Sequence, residues 1–257
     1  MSSHRLQSAA RARYKPAAQR VLHRYNSYAT GLPMTLSAPA LRNDDSTAMR
    51  QAMVASQLRT SAVSDPRVVA AMAEVPREAF VPAGVAALAY RDTAIDLGEG
   101  RSLNTPLATA RLLVQARLLP SDRVLLIGAA GGYCAAVLAS LVAEIVAVES
   151  SPALAAHART ALAATPNVTV VEGPLENGHP EGAPYDVLVV DGAIEELPAT
   201  LASQVVDGGR IVSGLIERGV FRLAAGAHRG AATALAPFAD IDSVRLPGFA
   251  RPHSFTF

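Results

Sequence analysis

The residues best placed to do chemistry form a strand, a turn of small residues and a helix start: Val124-Leu125-Leu126-Ile127-Gly128-Ala129-Ala130-Gly131-Gly132-Tyr133. Small side chains are needed where a ligand lies directly on backbone amides and a Cβ would intrude. A dinucleotide fingerprint would place glycines at 128, 130 and 133, but Ala130 and Tyr133 stand at two of those positions. A phosphate loop would need Gly-Lys-Ser/Thr, and the only lysine of the chain is Lys15. The turn therefore points away from a nicotinamide site and from a nucleoside triphosphatase. Glu149 follows about twenty residues later, where such folds place an acid on ribose hydroxyls. A carboxylate there can accept both hydroxyl hydrogens. The competing reading of Glu149 is an acid at a helix start, complementing the helix dipole.

These residues need a frame, and from Ser121 onward the chain supplies one by alternating strands with helices. Strands are expected at 123–127, 144–148, 168–171, 186–190 and 210–213, and helices at 132–142, 152–164 and 198–206. Repeated βαβ units imply a parallel sheet with right-handed crossovers. Ligands of such sheets bind at the carboxyl ends of the strands, which draws attention to the loops after Ile127, Val148, Val171 and Val190. The apolar alternation of 219–240, broken at 225–230, predicts a terminal antiparallel hairpin. Upstream, one helix is expected from Ser46 or Thr47 to Arg59 and a second from Asp65-Pro66. A third is expected over Pro106–Leu119. The expected architecture is one α/β, Rossmann-like domain over 46–257. Residues 46–120 would supply helices and a substrate loop, and 121–257 the cofactor-binding sheet.

Composition narrows the function classes. A formal net charge of +1 gives no bias toward nucleic acid or a membrane surface. The six basic residues of 1–33 face no acids, so the rest of the chain is mildly acidic. Residues 1–45 are expected to lie outside the fold, as an extension before a natural start at Met34; a transit peptide and a nucleic-acid arm are the other readings. No stretch reaches the roughly 18 apolar residues of a membrane span, and a cytoplasmic protein is expected. A single cysteine, Cys134, excludes an intrachain disulfide, and the six histidines lack metal-ligand spacing, so no metal is expected. Cys134 reads as a small buried residue, and Glu195-Glu196 as solvated acids. His179 is retained as a substrate-side candidate, and the closing residues 251–257 are expected to dock on the body.

Several ordered segments resemble one family. They are Met53-Val-Ala-Ser-Gln-Leu-Arg59, Asp65-Pro-Arg67, Val75-Pro-Arg-Glu-Ala-Phe-Val-Pro82 and Ala89-Tyr-Arg-Asp92, then Leu97-Gly-Glu-Gly100. Gly132-Tyr-Cys-Ala-Ala-Val-Leu-Ala139, Ala183-Pro-Tyr-Asp186 and Gly208-Gly-Arg210 follow in register. Over about Met49–Gly214 the chain resembles the protein-L-isoaspartate O-methyltransferases. The resemblance implies a class I, S-adenosylmethionine-dependent enzyme that methylates isoaspartyl carboxylates of damaged proteins or peptides, a step of protein repair. It assigns the cofactor to Gly128, Ala129, Ala130 and Gly132, to Glu149 with Ser150, and to Gly173, Pro174 and Leu175. It puts Asn104, in Gly100-Arg-Ser-Leu-Asn-Thr-Pro106, at a substrate-loop position that is usually serine, facing the acceptor carboxylate. Asp191 stands where the family has a small uncharged residue, and is the candidate base if the acceptor is a hydroxyl or amine. Leu126 and Gly173-Pro174-Leu175 also replace acidic positions of the family pattern. Two other readings remain: a binding module without catalysis, and a small-molecule methyltransferase.

Overall fold

The computed structural model describes residues 43–230 and 232–251, so the expectations for Met34 and for the closing residues 252–257 fall outside the described residues. The first helix, α1, spans Asn43–Met53 and runs into a π turn at Val54–Leu58. It starts ahead of the expected cap, and Ser46 lies buried within it. The second, α2 (Pro66–Glu74), begins as its sequence predicts: the Asp65 carboxylate accepts from the Arg67 amide, and Pro66 needs no partner for its missing N–H. Short 3₁₀ turns at Arg77–Phe80 and Ala83–Leu88 lead to a hairpin, β1 (Ile95–Gly98) and β2 (Arg101–Leu103). This hairpin forms a two-stranded sheet of its own. α3 (Pro106–Gln115) follows, with the Thr105 hydroxyl capping it at the Ala108 amide.

The main sheet is built from β3 (Arg123–Ile127), β4 (Glu144–Glu149), β5 (Val168–Glu172), β6 (Tyr185–Ile194), β7 (Val205–Glu217), β8 (Val220–Arg229) and β9 (Ala232–Ala239). Their order is β5-β4-β3-β6-β7-β8-β9. The first five strands run parallel, and β8 and β9 close the sheet antiparallel. The strand order reverses between β3 and β6, which is where sheets of this kind open a crevice. α4 (Tyr133–Leu138), α5 (Pro152–Ala161) and the short α6 (Ala199–Ala202) supply the crossovers. The Ser151 hydroxyl caps α5 by accepting from the Leu154 amide.

Strands covered on both faces read as unbroken apolar runs. Leu125 and Ile127, Val146 and Val148, and Leu188 and Val190 form one core with Leu201, Leu246 and Phe249. Their neighbours Val124, Leu126, Val187 and Val189 are equally buried and alternate to the opposite face. Each such side chain contributes roughly 1.5–3 kcal/mol of burial, so the carboxyl ends of β3 and β6 are rigid supports.

Several elements differ from the sequence expectation: α3, α4 and α5 end at Gln115, Leu138 and Ala161 rather than at 119, 142 and 164, and two further differences come from tertiary pairing. The helix expected over 198–206 stops at Ala202, because Val205 already pairs with Tyr185 as the start of β7. β6 runs past Val190 to Ile194, because Ala193 exchanges backbone hydrogen bonds with the C-terminal segment: its amide donates to the Val244 carbonyl and its carbonyl accepts from the Leu246 amide. A register shift between Val189 and Ala193 makes Val190, Asp191 and Gly192 bulge from the β6–β7 ladder.

Candidate active site

The turn after β3 uses its small residues for two purposes. Gly131 and Gly132 permit close packing: a Cβ at Gly131 would lie 2.3 Å from the Phe80 carbonyl oxygen, and one at Gly132 would press on Leu162 and Ala158. Gly128, at φ +83°, faces Leu246 and Arg101: a Cβ there would meet the Leu246 methyls at 3.1 Å and Arg101 Nη2 at 3.5 Å. The Gly128 and Ala129 amides both donate to the Val148 carbonyl, which ties the turn to β4. Ala130, in the left-handed region at φ +49°, aims its amide at Glu149 Oε2, 2.6 Å away.

Glu149 ends β4 completely buried. Oε1 accepts from the amides of Ser150 (2.9 Å) and Ser151 (3.1 Å). Arg101 of β2 completes the set with a bidentate pair, Nε to Oε1 and Nη2 to Oε2, each 2.9 Å. Burial pushes the Glu149 carboxyl up, but hydrogen bonds and charge from Arg101, with the backbone amides, outweigh it and hold the group below the usual carboxylate range. The Ser150 hydroxyl also points at Oε1, at 3.4 Å. At the end of the neighbouring β5, the Gly173 amide donates to the Glu149 carbonyl, and a Cβ at Gly173 would meet only open space. Pro174 beside it is exposed, whereas Leu175 is buried in the core.

Asn104 and Asp191 meet, although 87 positions separate them. Asn104 Nδ2 donates to Asp191 Oδ1 at 2.9 Å, and the Thr109 hydroxyl donates to the same oxygen at 2.8 Å. Asn104 Oδ1 accepts from the Thr105 amide, the Ser243 hydroxyl and the Val244 amide. Asn104 is only 1% exposed and Asp191 only 4%. The pair thus joins the end of β2, the bulge of β6 and the C-terminal segment beneath the crevice. Burial raises the Asp191 carboxyl above its ordinary value, against the hydrogen bonds from Asn104 and Thr109 and the nearby charge of Arg77.

Arg77 is wholly buried. It donates from Nε to the Ala89 carbonyl and from Nη2 to the Asn104 carbonyl, and it lies 4.6 Å over the Tyr133 ring. Desolvation lowers its pKa and pushes the Tyr133 phenol up to about 12. Cys134 is buried beside this cluster and hydrogen-bonds with the Asp191 carboxyl, and desolvation raises its thiol well above the ordinary range.

His179 stands apart from this cluster. Its amide donates to the Gln204 side chain, its carbonyl accepts from the Tyr185 hydroxyl, and its ring faces Glu181. Glu195 is not simply solvated, because it pairs with Arg245 and accepts from the Arg251 amide. Together these contacts clip the segment that carries Leu246 over the turn. Arg101, Arg77, Thr109 and Leu246 are the site residues that sequence reasoning missed.

A seven-stranded sheet that is parallel except for its C-terminal hairpin and reverses order beside a glycine turn matches the class I methyltransferase fold. Comparisons with known proteins give the family. A profile described as protein-L-isoaspartate(D-aspartate) O-methyltransferase matches residues 48–227. The protein-L-isoaspartate O-methyltransferase 1 of Rhodopseudomonas palustris (strain HaA2) is 43% identical over 175 residues, covering 66% of this chain and 71% of that protein. The protein-L-isoaspartate O-methyltransferase of Methanoregula boonei is 42% identical over 179 residues, covering 69% and 81%. A solved protein-L-isoaspartate O-methyltransferase superposes with a TM-score of 0.69 at 25% identity, covering 77% of this chain and 66% of that one. The chain belongs to the protein-L-isoaspartate(D-aspartate) O-methyltransferase family. That membership does not favour the binding-module or small-molecule readings. Among the described residues, no helix is long and apolar enough to cross a membrane.

Proposed function

We propose that this chain transfers a methyl group from S-adenosylmethionine to the free carboxylate of isoaspartyl residues in proteins or peptides, as a step of protein repair in the cytoplasm. The observation that carries the reading is the family match over 48–227, with Glu149 standing beside the Gly128 turn at the switch in strand order. The residues present fit an adenosyl cofactor. Gly128 keeps its crevice side free of a Cβ, Glu149 offers a carboxylate for a ribose diol, and open space borders Gly173. Gly128, Ala129, Ala130 and Gly132 would hold it from the turn, Glu149 and Ser150 at the ribose, and Gly173, Pro174 and Leu175 beside the adenine.

Bound S-adenosylmethionine supplies an electrophilic methyl on a sulfonium. An acceptor carboxylate is already ionised near neutral pH, so the chain need not remove a proton. Its contribution is to position the acceptor and exclude water, where most of the available acceleration lies. Asn104 and Asp191 serve this as positioning residues, because their mutual hydrogen bond fixes the end of β2 against β6. Asp191 lies beneath Asn104 and does not present its charge to the acceptor, which removes the repulsion an exposed carboxylate would create. A chain with a single, buried cysteine is at home in a reducing compartment.

The test is transfer of labelled methyl from S-adenosylmethionine to two peptides that differ only in an isoaspartyl or aspartyl linkage. Label on the isoaspartyl peptide alone is expected. Equal labelling, or label only on free small carboxylic acids, refutes the assignment.

A further inference from the structure

The Glu149 carboxylate has no acceptor capacity to spare. Oε2 takes Arg101 Nη2 and the Ala130 amide, and Oε1 takes Arg101 Nε and the amides of Ser150 and Ser151. A carboxylate has about four lone-pair sites and these five donors already exceed them, so a ligand diol and the Arg101 guanidinium compete for Glu149. Arg101 Nη2 also stands within 3.5 Å of the point where a Cβ on Gly128 would project, so the arginine fills the face a ligand would use. We infer that Arg101 is a built-in occupant of the cofactor site: with Arg101 on Glu149 the β1–β2 hairpin closes the site, and cofactor entry requires Arg101 to leave Glu149. This inference rests on the cofactor reading above.

The closure is built to release. Arg101 Nη1 is buried without a hydrogen-bond partner among the described residues, so the closed arrangement carries an unmet donor there. Glu149 is not left bare when Arg101 departs, because three backbone amides remain on its oxygens. Among the described residues the hairpin pairs with no strand of the main sheet, and a lone two-stranded ribbon is marginal by itself. Its tip, Gly98-Glu99-Gly100, is left-handed at all three residues, with φ of +84°, +54° and +68°. Beyond Arg101, the tip is tied down by the Ser151 hydroxyl donating to Glu99, again next to the ribose acid. The bonds that close the hairpin therefore converge on residues 149–151, and a ligand on Glu149 would undo the strongest of them.

Competition of this kind lowers the apparent affinity by the fraction of chains that are open. Titration calorimetry with S-adenosylhomocysteine should therefore give about tenfold or tighter binding to Arg101→Gln than to the wild-type chain. Hydrogen exchange adds an independent reading. In the wild-type chain the ligand should speed exchange of the amides at 98–102, whereas a bound ligand ordinarily slows it. In Arg101→Gln the same amides should exchange fast without ligand. Equal or weaker binding by Arg101→Gln, or ligand-induced slowing at 98–102 in the wild-type chain, overturns the inference and leaves the cofactor reading standing. Absence of binding to both proteins, with the variant's hairpin open, overturns the cofactor reading itself.

Discussion

Replacing Asn104 by alanine removes four hydrogen bonds at a site that water does not reach. Asp191 loses its amide donor, and the Thr105 amide, the Ser243 hydroxyl and the Val244 amide lose their acceptor. A hydrogen bond to a charged group contributes about 1.5–3 kcal/mol, and each buried group left unmatched costs about 1–3 kcal/mol before relaxation. The Thr109 hydroxyl still holds Asp191, and the exposed end of the C-terminal segment can adjust, so the total should stay near 4 kcal/mol. That is a large share of the roughly 5–15 kcal/mol available to a domain, and it should lower the melting temperature by about 8–16 °C. Urea unfolding followed by circular dichroism at pH 7 measures it. In an Asp191→Asn background the same truncation should cost about 1–2 kcal/mol less, because the charge that needed the amide is gone. A loss below about 1 kcal/mol, or full additivity of the two substitutions, would refute the positioning role of Asn104.

Two further outcomes follow from the geometry. Gly131→Ala should destabilise by about 1–3 kcal/mol, because its Cβ would sit 2.3 Å from the Phe80 carbonyl oxygen. Gly173→Ala should change stability by less than about 0.5 kcal/mol, because its Cβ meets nothing, and urea midpoints of the two variants separate the cases. The second outcome concerns pH. Asp191 keeps its proton to higher pH in the folded chain than in the unfolded one, so its contribution to stability falls as pH rises from the unfolded carboxylate value, about 3.9, through the raised folded value. Asp191→Asn removes that dependence. Wild-type stability minus variant stability should therefore decline with rising pH across this window, and a rise would contradict the burial argument.

Local signals in the sequence were sufficient where they act over a few residues. The Asp65-Pro66 start and the strand-helix alternation stand in the structure near their expected places. Helix ends fared less well at 198–206, since the pairing of Val205 with Tyr185 is a tertiary event that no local pattern records. The extension of β6 to Ile194 likewise depends on Val244 and Leu246, about fifty residues onward. Glu149 and Asn104 could be singled out from spacing and resemblance. Their occupants could not, because Arg101 meets Glu149 across 48 positions and Asp191 meets Asn104 across 87. Arg77 lay inside a family-like segment, yet nothing in Val75-Pro-Arg-Glu-Ala-Phe-Val-Pro82 signals that its guanidinium would be wholly buried over Tyr133.

The central claim is that the Gly128 turn and Glu149 hold the methyl donor. Calorimetric titration of S-adenosylmethionine into the wild-type chain, and into Arg101→Gln with and without Glu149→Gln so that release of Arg101 cannot offset the loss, tests it most directly, each protein being checked for folding by circular dichroism. One site per chain is expected in the wild type. Adding Glu149→Gln to Arg101→Gln should weaken binding by at least about tenfold, the equivalent of one hydrogen bond to a charged group. Absence of heat from the folded wild-type chain, or equal affinity of the single and double variants, would contradict the assignment.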